Sequence, residues 1–278
     1  MSEIANSEYE IFPLECKSGA SVPIALPPPS LKLSDSVFAF SLHKAGSVLF
    51  DNVLRDLAKA ADVPAISLDE KCFYAGVYIA DLVPASVVSL LSRKGYLFHG
   101  FRGVHGPMRG VDLKSKRTVV LVRDPRDVLT SYYFSMKFSH VVPEKGDTRS
   151  DLLSRRDQAG AVAIDEFVLS PTVEFMHYNF SQLMALEGPN TKVFRYEDII
   201  FDKERWVVEI AEWLELPVSR DVAVEIARRH DLRPSTENPQ NHVRQVAPGN
   251  YKSHLAPETI RAIESKYADV MRHYGYSA

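Results

Sequence analysis

The segment Arg117-Thr118-Val119-Val120-Leu121-Val122 runs apolar to its end, without the polar alternation of a half-exposed strand. That pattern belongs to a strand covered on both faces, and so to a parallel sheet with helices on either side. The run stops at Arg123-Asp124-Pro125. Proline suits the first position of a helix, where its missing N–H would be unpaired anyway, so a helix is expected over 127–136. The same order of strand, turn and helix starts at Val37-Phe38-Ala39-Phe40. A glycine-containing turn leads from there into 48–60, where Leu49, Val53, Leu54 and Leu57 fall on one helical face. Tyr96-Leu97-Phe98 and Lys192-Val193-Phe194-Arg195-Tyr196 read as further strands. Residues 165–186 read as mostly helical, and 203–215, 219–230 and 257–274 as three more helices. The recurrence predicts an α/β fold, a central parallel sheet flanked by helices, over residues 36–278. Residues 1–35 are expected to form an irregular arm, because Pro23, Pro27, Pro28 and Pro29 interrupt regular ladders.

Composition narrows the function by exclusion. A net charge of −3 over 278 residues lacks the basic excess that a nucleic-acid partner demands. Two cysteines, Cys16 and Cys72, cannot build a disulfide framework or a cysteine-rich metal site, and no convincing metal-ligand cluster is encoded. The first residues carry no apolar run of the signal-peptide kind, and no stretch is long and apolar enough to cross a bilayer. The expectation is a cytoplasmic protein with no membrane partner. The 45% apolar fraction is ample for one large core.

Two segments have the chemistry of anion sites. In Ser41-Leu42-His43-Lys44-Ala45-Gly46-Ser47-Val48, a turn feeds a helix N-terminus whose backbone N–H groups lack partners. Gly46 permits close backbone approach, Lys44 adds charge and Ser47 a hydroxyl. The segment is not a Walker A loop, and on its own it reads equally as a helix start capped by Ser47 with Lys44 in solvent. The second segment is Arg123-Asp124-Pro125-Arg126-Asp127-Val128-Leu129-Thr130-Ser131-Tyr132-Tyr133. Arg123 sits at the end of a strand, where open parallel sheets bind ligands, and Ser131 follows two helical turns later. Together they can grip one phosphate; the alternative is an Arg–Asp pair capping a helix.

The two segments together resemble the cytosolic-type PAPS-dependent sulfotransferase family, in which a Pro-Lys-Ser-Gly-Thr-Thr-like loop holds a 5'-phosphosulfate and an Arg-Asp-Pro-x-Asp…Ser-Tyr-Tyr segment a 3'-phosphate. Phe194-Arg195-Tyr196-Glu197-Asp198-Ile199 is similar to the family's Tyr-Glu-Asp-Leu strand end. His242-Val243-Arg244-Gln245…Pro248-Gly249-Asn250-Tyr251-Lys252 is similar to its late Arg-Lys-Gly…Gly-Asp-Trp-Lys loop. The four matches come in the family's order and span about residues 36–270. Two departures stand out. Gln245-Val246 replaces Lys-Gly, and Leu49 stands where the family often stacks a Trp on adenine, with Phe50 beside it not expected to substitute.

The resemblance implies a P-loop-NTPase-like sulfotransferase fold and 3'-phosphoadenosine-5'-phosphosulfate (PAPS) as co-substrate, with no metal. It places Lys44, Ala45, Gly46, Ser47 and Val48 at the phosphosulfate, and Arg123, Ser131 and Arg244 at the 3'-phosphate. Tyr196 falls near the adenine. Lys44 would stabilise the leaving group, and His99, at the end of the third strand, would be the base for a hydroxyl or amine acceptor. His105 and the carboxylates Asp69 and Glu70 are alternatives for that role. A small-molecule acceptor is expected, as in bacterial natural-product tailoring. The oligomeric state is open, since Ala256-Pro257 interrupts the motif through which many relatives dimerise. A nucleotide kinase lacks its Walker Lys-Ser pair here, and a non-catalytic nucleotide-binding module is the remaining alternative.

Overall fold

The computed structural model describes residues 9–231 and 246–277. Arg244 and the neighbouring residues 242–245 of the late loop lie outside the described residues. The chain opens with strands β1 (Glu10–Glu15) and β2 (Ser21–Leu26), then β3 (Val37–Ser41), α1 (Ser47–Ala61), β4 (Ala65–Ser67), α2 (Leu68–Ala75), α3 (Pro84–Leu91) and β5 (Leu97–Phe101). It continues through β6 (Thr118–Val122), α4 (Pro125–Phe134), α5 (Asp147–Ala161), α6 (Ile164–Leu169), α7 (Glu174–Leu186), β7 (Thr191–Arg195) and α8 (Tyr196–Ile199). Helices α9 (Lys203–Trp213), α10 (Arg220–Arg229), α11 (Pro257–Lys266) and α12 (Ala268–Tyr274) complete it.

Five strands form one parallel sheet in the order β4-β5-β3-β6-β7. Strands β3, β5 and β6 are buried at every position, as the unbroken apolar runs require of strands covered on both faces. Alternate residues divide between two cores. Val37, Ala39, Val119 and Leu121 face α1, α9 and α10, where Phe50 packs on the buried Trp206. Phe38, Phe40, Val120 and Val122 face the other side, with α4, α7, α11 and α12. Phe38–Phe98 and Phe40–Phe101 pack across that face with ring centroids 5.4 and 5.0 Å apart, each buried ring contributing about 1.5–3 kcal/mol.

The neighbours β3 and β6 therefore send their helices, α1 and α4, to opposite faces. A crevice opens between such strands at their carboxyl ends, the place where doubly covered sheets take ligands. Helix α4 starts there with Pro125 in its first turn, and Asp124 caps it by accepting the Arg126 N–H at 2.9 Å.

The expected irregular arm contains an antiparallel hairpin instead. Pro13 stands opposite Pro23 in the register of β1 and β2. In a two-stranded ribbon half of the N–H groups point outward, so paired prolines at a non-bonded position cost the ladder nothing. The stretch 137–160 holds most of α5, a polar helix that buries only Thr148, Leu152 and Ala159 and so carries no apolar stripe to announce it. Pro171 divides the expected 165–186 helix into α6 and α7, and 257–274 breaks at Tyr267.

Candidate active site

The turn after β3 is built from two left-handed residues, Lys44 at φ 63° and Gly46 at φ 83°. Only glycine fits at the second: a Cβ there would lie 2.9 Å from Cδ2 of Tyr196. Gly46, not Ser47, is the N-cap of α1, and the first intrahelical bond runs from the Phe50 N–H to the Gly46 carbonyl. The amides of Ser47, Val48 and Leu49 are thus left without intrahelical partners, and no acidic residue in the first turn neutralises the positive helix end. Ala45 is fully buried beneath the turn. Lys44 Nζ donates to Ser135 Oγ at 3.1 Å, and that oxygen lies 3.3 Å from His140 Nδ1.

Arg123 leaves the end of β6 beside this turn. Its Nη1 donates to the Lys44 carbonyl at 3.2 Å, Nη2 lies 3.5 Å from Asp127, and the guanidinium stacks 4.3 Å above the Tyr196 ring. The Nε of this buried side chain has no partner among the described residues. A buried guanidinium with an unanswered donor carries an unspent capacity for a charge-assisted hydrogen bond. Tyr196, placed by the end of β7, is buried and donates its hydroxyl to the Val246 carbonyl at 2.9 Å. Asp127 accepts the N–H groups of Gly249 (2.7 Å) and Tyr251 (3.0 Å), tying the late segment to α4. Ser131 is partly buried on α4. Lys44 and Gly46 of the first segment, Arg123 of the second and Tyr196 thus meet at one crevice.

Next to the crevice lies a cavity of about 490 Å³. Phe73, Tyr74, Val77, Tyr78 and Ile79 give it an apolar wall, and His43, Lys44, Arg102, His105, Asp69 and His140 a polar floor. His105 Nε2 stands 3.4 Å from Asp69 Oδ1, a charge-pair distance without good hydrogen-bond geometry, and Asp69 Oδ2 accepts the Arg102 N–H at 2.8 Å. Burial opposes the charge of His105, but Asp69 outweighs it and holds the imidazole above its ordinary 6.5. Burial likewise opposes ionisation of Asp69, and His105 with Arg102 holds its carboxyl below the usual range.

A family profile described as the sulfotransferase domain matches residues 104–275, well over half of the chain. The chain belongs to the sulfotransferase family. Its fold is that of mouse sulfotransferase SULT7A1, solved in complex with PAP (adenosine 3',5'-bisphosphate), at a TM-score of 0.54 and 13% identity over 88% of this chain and 86% of that one. A structure of retinol dehydratase in complex with androsterone and inactive cofactor PAP matches at a TM-score of 0.49 and 15% identity, over 85% and 80%. A sequence search of curated proteins finds no match.

The sulfotransferase site departs from the sequence expectation at His99. That histidine is 1% exposed and does not line the cavity; its Nδ1 lies 3.1 Å from Asp51 Oδ1 on α1. Alternation along β5 sends Phe98 into one core and His99 to the opposite, α1 face, and a bulge follows. Phe38 pairs with Phe98 but Phe40 with Phe101, so β5 carries one extra residue at Gly100, which has φ 86°. His99 and Arg102 are thereby brought to one carboxylate, Arg102 Nη2 reaching Asp51 Oδ2 at 2.5 Å while Phe101 keeps its place in the opposite core. Burial works against the charge of Asp51, and His99 and Arg102 overcome it, holding the group below its ordinary value. Glu70 stands at the cavity rim, paired with Arg55. Phe50, as expected, takes no part, being sealed against Trp206.

Sequence reasoning passed over His43, Asp51, Arg102 and His140. Asp51 had a signal, since it lies on the buried stripe of α1 with Leu54 and Ala58, where a carboxylate needs a partner. Arg102 had one too, following a glycine inside a strand. Among the described residues no group of three or more His, Cys, Asp or Glu could hold a metal ion, and no helix is long and apolar enough to cross a membrane.

Proposed function

We propose that this sulfotransferase takes the sulfuryl group from PAPS and places it on a hydroxyl or amine of a small molecule held in the cavity of His43, His105 and Tyr78. The observation that carries the reading is the hydrogen bond from Arg123 to the Lys44 carbonyl. It joins two anion-binding segments nearly eighty residues apart in the chain into one crevice, as a nucleotide phosphorylated at both ends requires. The 5'-phosphosulfate lies on the amides at the start of α1, over Ala45, Gly46, Ser47 and Val48. The 3'-phosphate lies on Arg123 and Ser131, and on Arg244 from the late loop. Tyr196 closes the crevice beneath both.

In the transfer, the acceptor oxygen or nitrogen attacks sulfur from the cavity side and loses its proton to a base. The sulfur–oxygen bond to the 5'-phosphate breaks, and its electron pair goes to the phosphate oxygen. Lys44 moves from Ser135 to that oxygen and neutralises its growing charge, while the α1 amides do the same without reorganising. The base assigned is His105, whose Nε2 faces Asp69 and leaves Nδ1 for the acceptor. His99, expected in this role, is instead the buried partner of Asp51, a positioning group for Arg102.

The apolar wall and the exposed Tyr74 and Val141 near the mouth favour an acceptor with a hydrocarbon body over a sugar. Calorimetry with PAP and ATP, followed by transfer from ³⁵S-labelled PAPS to a panel of phenols, alcohols and amines, tests the reading. PAP should bind and ATP should not. Tighter binding of ATP, or PAP binding with no transfer to any acceptor, would sink it in favour of a kinase or a non-catalytic module.

A further inference from the structure

His43 precedes Lys44 in the phosphate turn and lines the same cavity. Its ring is wedged edge-on against Phe175 (centroids 5.6 Å, planes at 86°) and Tyr132 (6.4 Å, 63°), so its plane is fixed by packing. Among the described residues its ring nitrogens have no hydrogen-bond partner, and they are not among the sealed-off polar atoms. A polar group held rigidly by aromatic neighbours, open to a cavity and unanswered by the protein is waiting for a ligand atom.

The surroundings say which atom. Burial first, then Arg102, His140 and Lys44, push the imidazole down to about 3, with Asp69 opposing. The ring is therefore neutral in any ordinary buffer. It is a poor base but keeps one N–H donor, as neutral histidines aimed at developing oxyanions do. The field that suppresses its protonation is net positive, and that field favours an anionic ligand. A donor aimed at the attacking acceptor atom would also tie up the lone pair that must reach sulfur.

We propose that His43 donates a ring N–H to a peripheral oxygen of the sulfuryl group, fixing it in line between Lys44 and the acceptor, and that it carries no proton in the reaction. This rests on the PAPS reading above. It gives the site a sulfonate-specific donor, separate from the groups that hold the two phosphates.

The test compares PAPS with PAP, which differ by the sulfuryl group, and needs no acceptor. Affinities of both are measured by calorimetry for the wild type, His43→Phe and His43→Gln. Phenylalanine keeps the ring against Phe175 and Tyr132 without the N–H, and glutamine restores a donor. His43→Phe should weaken PAPS by about tenfold and leave PAP within about twofold, a hydrogen bond to a charged group being worth that much. His43→Gln should recover much of the loss. Equal affinities in wild type and His43→Phe, or equal losses for both nucleotides, overturn the proposal. If His43→Phe does not fold, the nitrogen-15 resonances of His43 in the wild type decide: they should move on addition of PAPS and not of PAP, and an identical response overturns it. A wild type that binds neither nucleotide removes the donor reading itself, whereas one that binds both with a ratio indifferent to His43 removes this inference alone.

Discussion

Replacing Gly46 with alanine tests whether the phosphate turn and the Arg123 platform are one unit. Two costs follow from the structure. The backbone is at φ 83°, where a Cβ costs about 1–2 kcal/mol, partly offset by a stiffer unfolded chain. The new methyl would also stand 2.9 and 3.0 Å from Cδ2 and Cε2 of Tyr196. That ring cannot yield freely, since it is buried, carries Arg123 at 4.3 Å on its face and holds Val246 through its hydroxyl. Forcing such a ring aside costs about 1–3 kcal/mol more. Gly19 supplies the control, with φ 86° and nothing within 4 Å of its would-be Cβ. Urea unfolding should show Gly19→Ala destabilised by only about 1 kcal/mol, the strain alone, and Gly46→Ala by about 1–3 kcal/mol beyond that. Because Arg123 rides on the displaced ring, Gly46→Ala should also weaken PAP by about tenfold or more, while Gly19→Ala leaves it unchanged. Equal destabilisation of the two variants, with PAP binding intact in both, would refute the coupling of turn, ring and guanidinium.

Lys44→Ala should lose about 10²–10³ in turnover, the loss seen when one transition-state donor is removed; near wild-type transfer would take away its assigned role. Arg123→Ala should weaken PAP far more than adenosine 5'-phosphate, and equal losses would mean that Arg123 only supports the Lys44 carbonyl and Tyr196. His105 can accept a proton only when neutral, so transfer should rise with pH through a midpoint above 6.5, the side to which Asp69 moves it. Asp69→Asn removes the charge that outweighs burial, so the midpoint should fall below 6.5; a pH–rate profile unmoved by this change and by His105→Asn excludes the pair as the base.

The strands and the turns after β3 and β6 were legible because each writes its physics locally. Val119–Val122 must be apolar throughout to lie between two cores, and Pro125 and Asp124 mark where α4 begins. The hairpin was hidden because proline at a non-bonded ribbon position looks the same in sequence as proline that breaks a strand. Helix α5 was hidden because its contacts come from single residues, such as the Asp151 carboxylate on the Tyr78 hydroxyl, and not from a stripe. His99 was named from the family resemblance, by its place at the end of the third strand, and alternation after Phe98 turns it to the α1 face. The extra residue at Gly100 then shifts the alternation, so Arg102, and not Phe101, joins His99 on the α1 face.

This division follows from where the two halves of the site are anchored. The proposed donor crevice is assembled by the ends of β3, β6 and β7, neighbours in one sheet, and a single ring spans them. Tyr196 touches the place of a Cβ on Gly46, lies under Arg123 and bonds the carbonyl of Val246, next to the late loop that carries Arg244. Its geometry is therefore inherited from strand spacing and leaves a motif at each strand end. The proposed acceptor cavity has no such frame. Its wall comes from α2, the segment after it and the turn leading into α5, elements held by side-chain pairs on the periphery of the core. Substitutions there can change the acceptor without disturbing strand spacing, so PAP affinity and acceptor choice should vary independently across variants of this chain. The exceptions should be Lys44 and His43, which border both compartments.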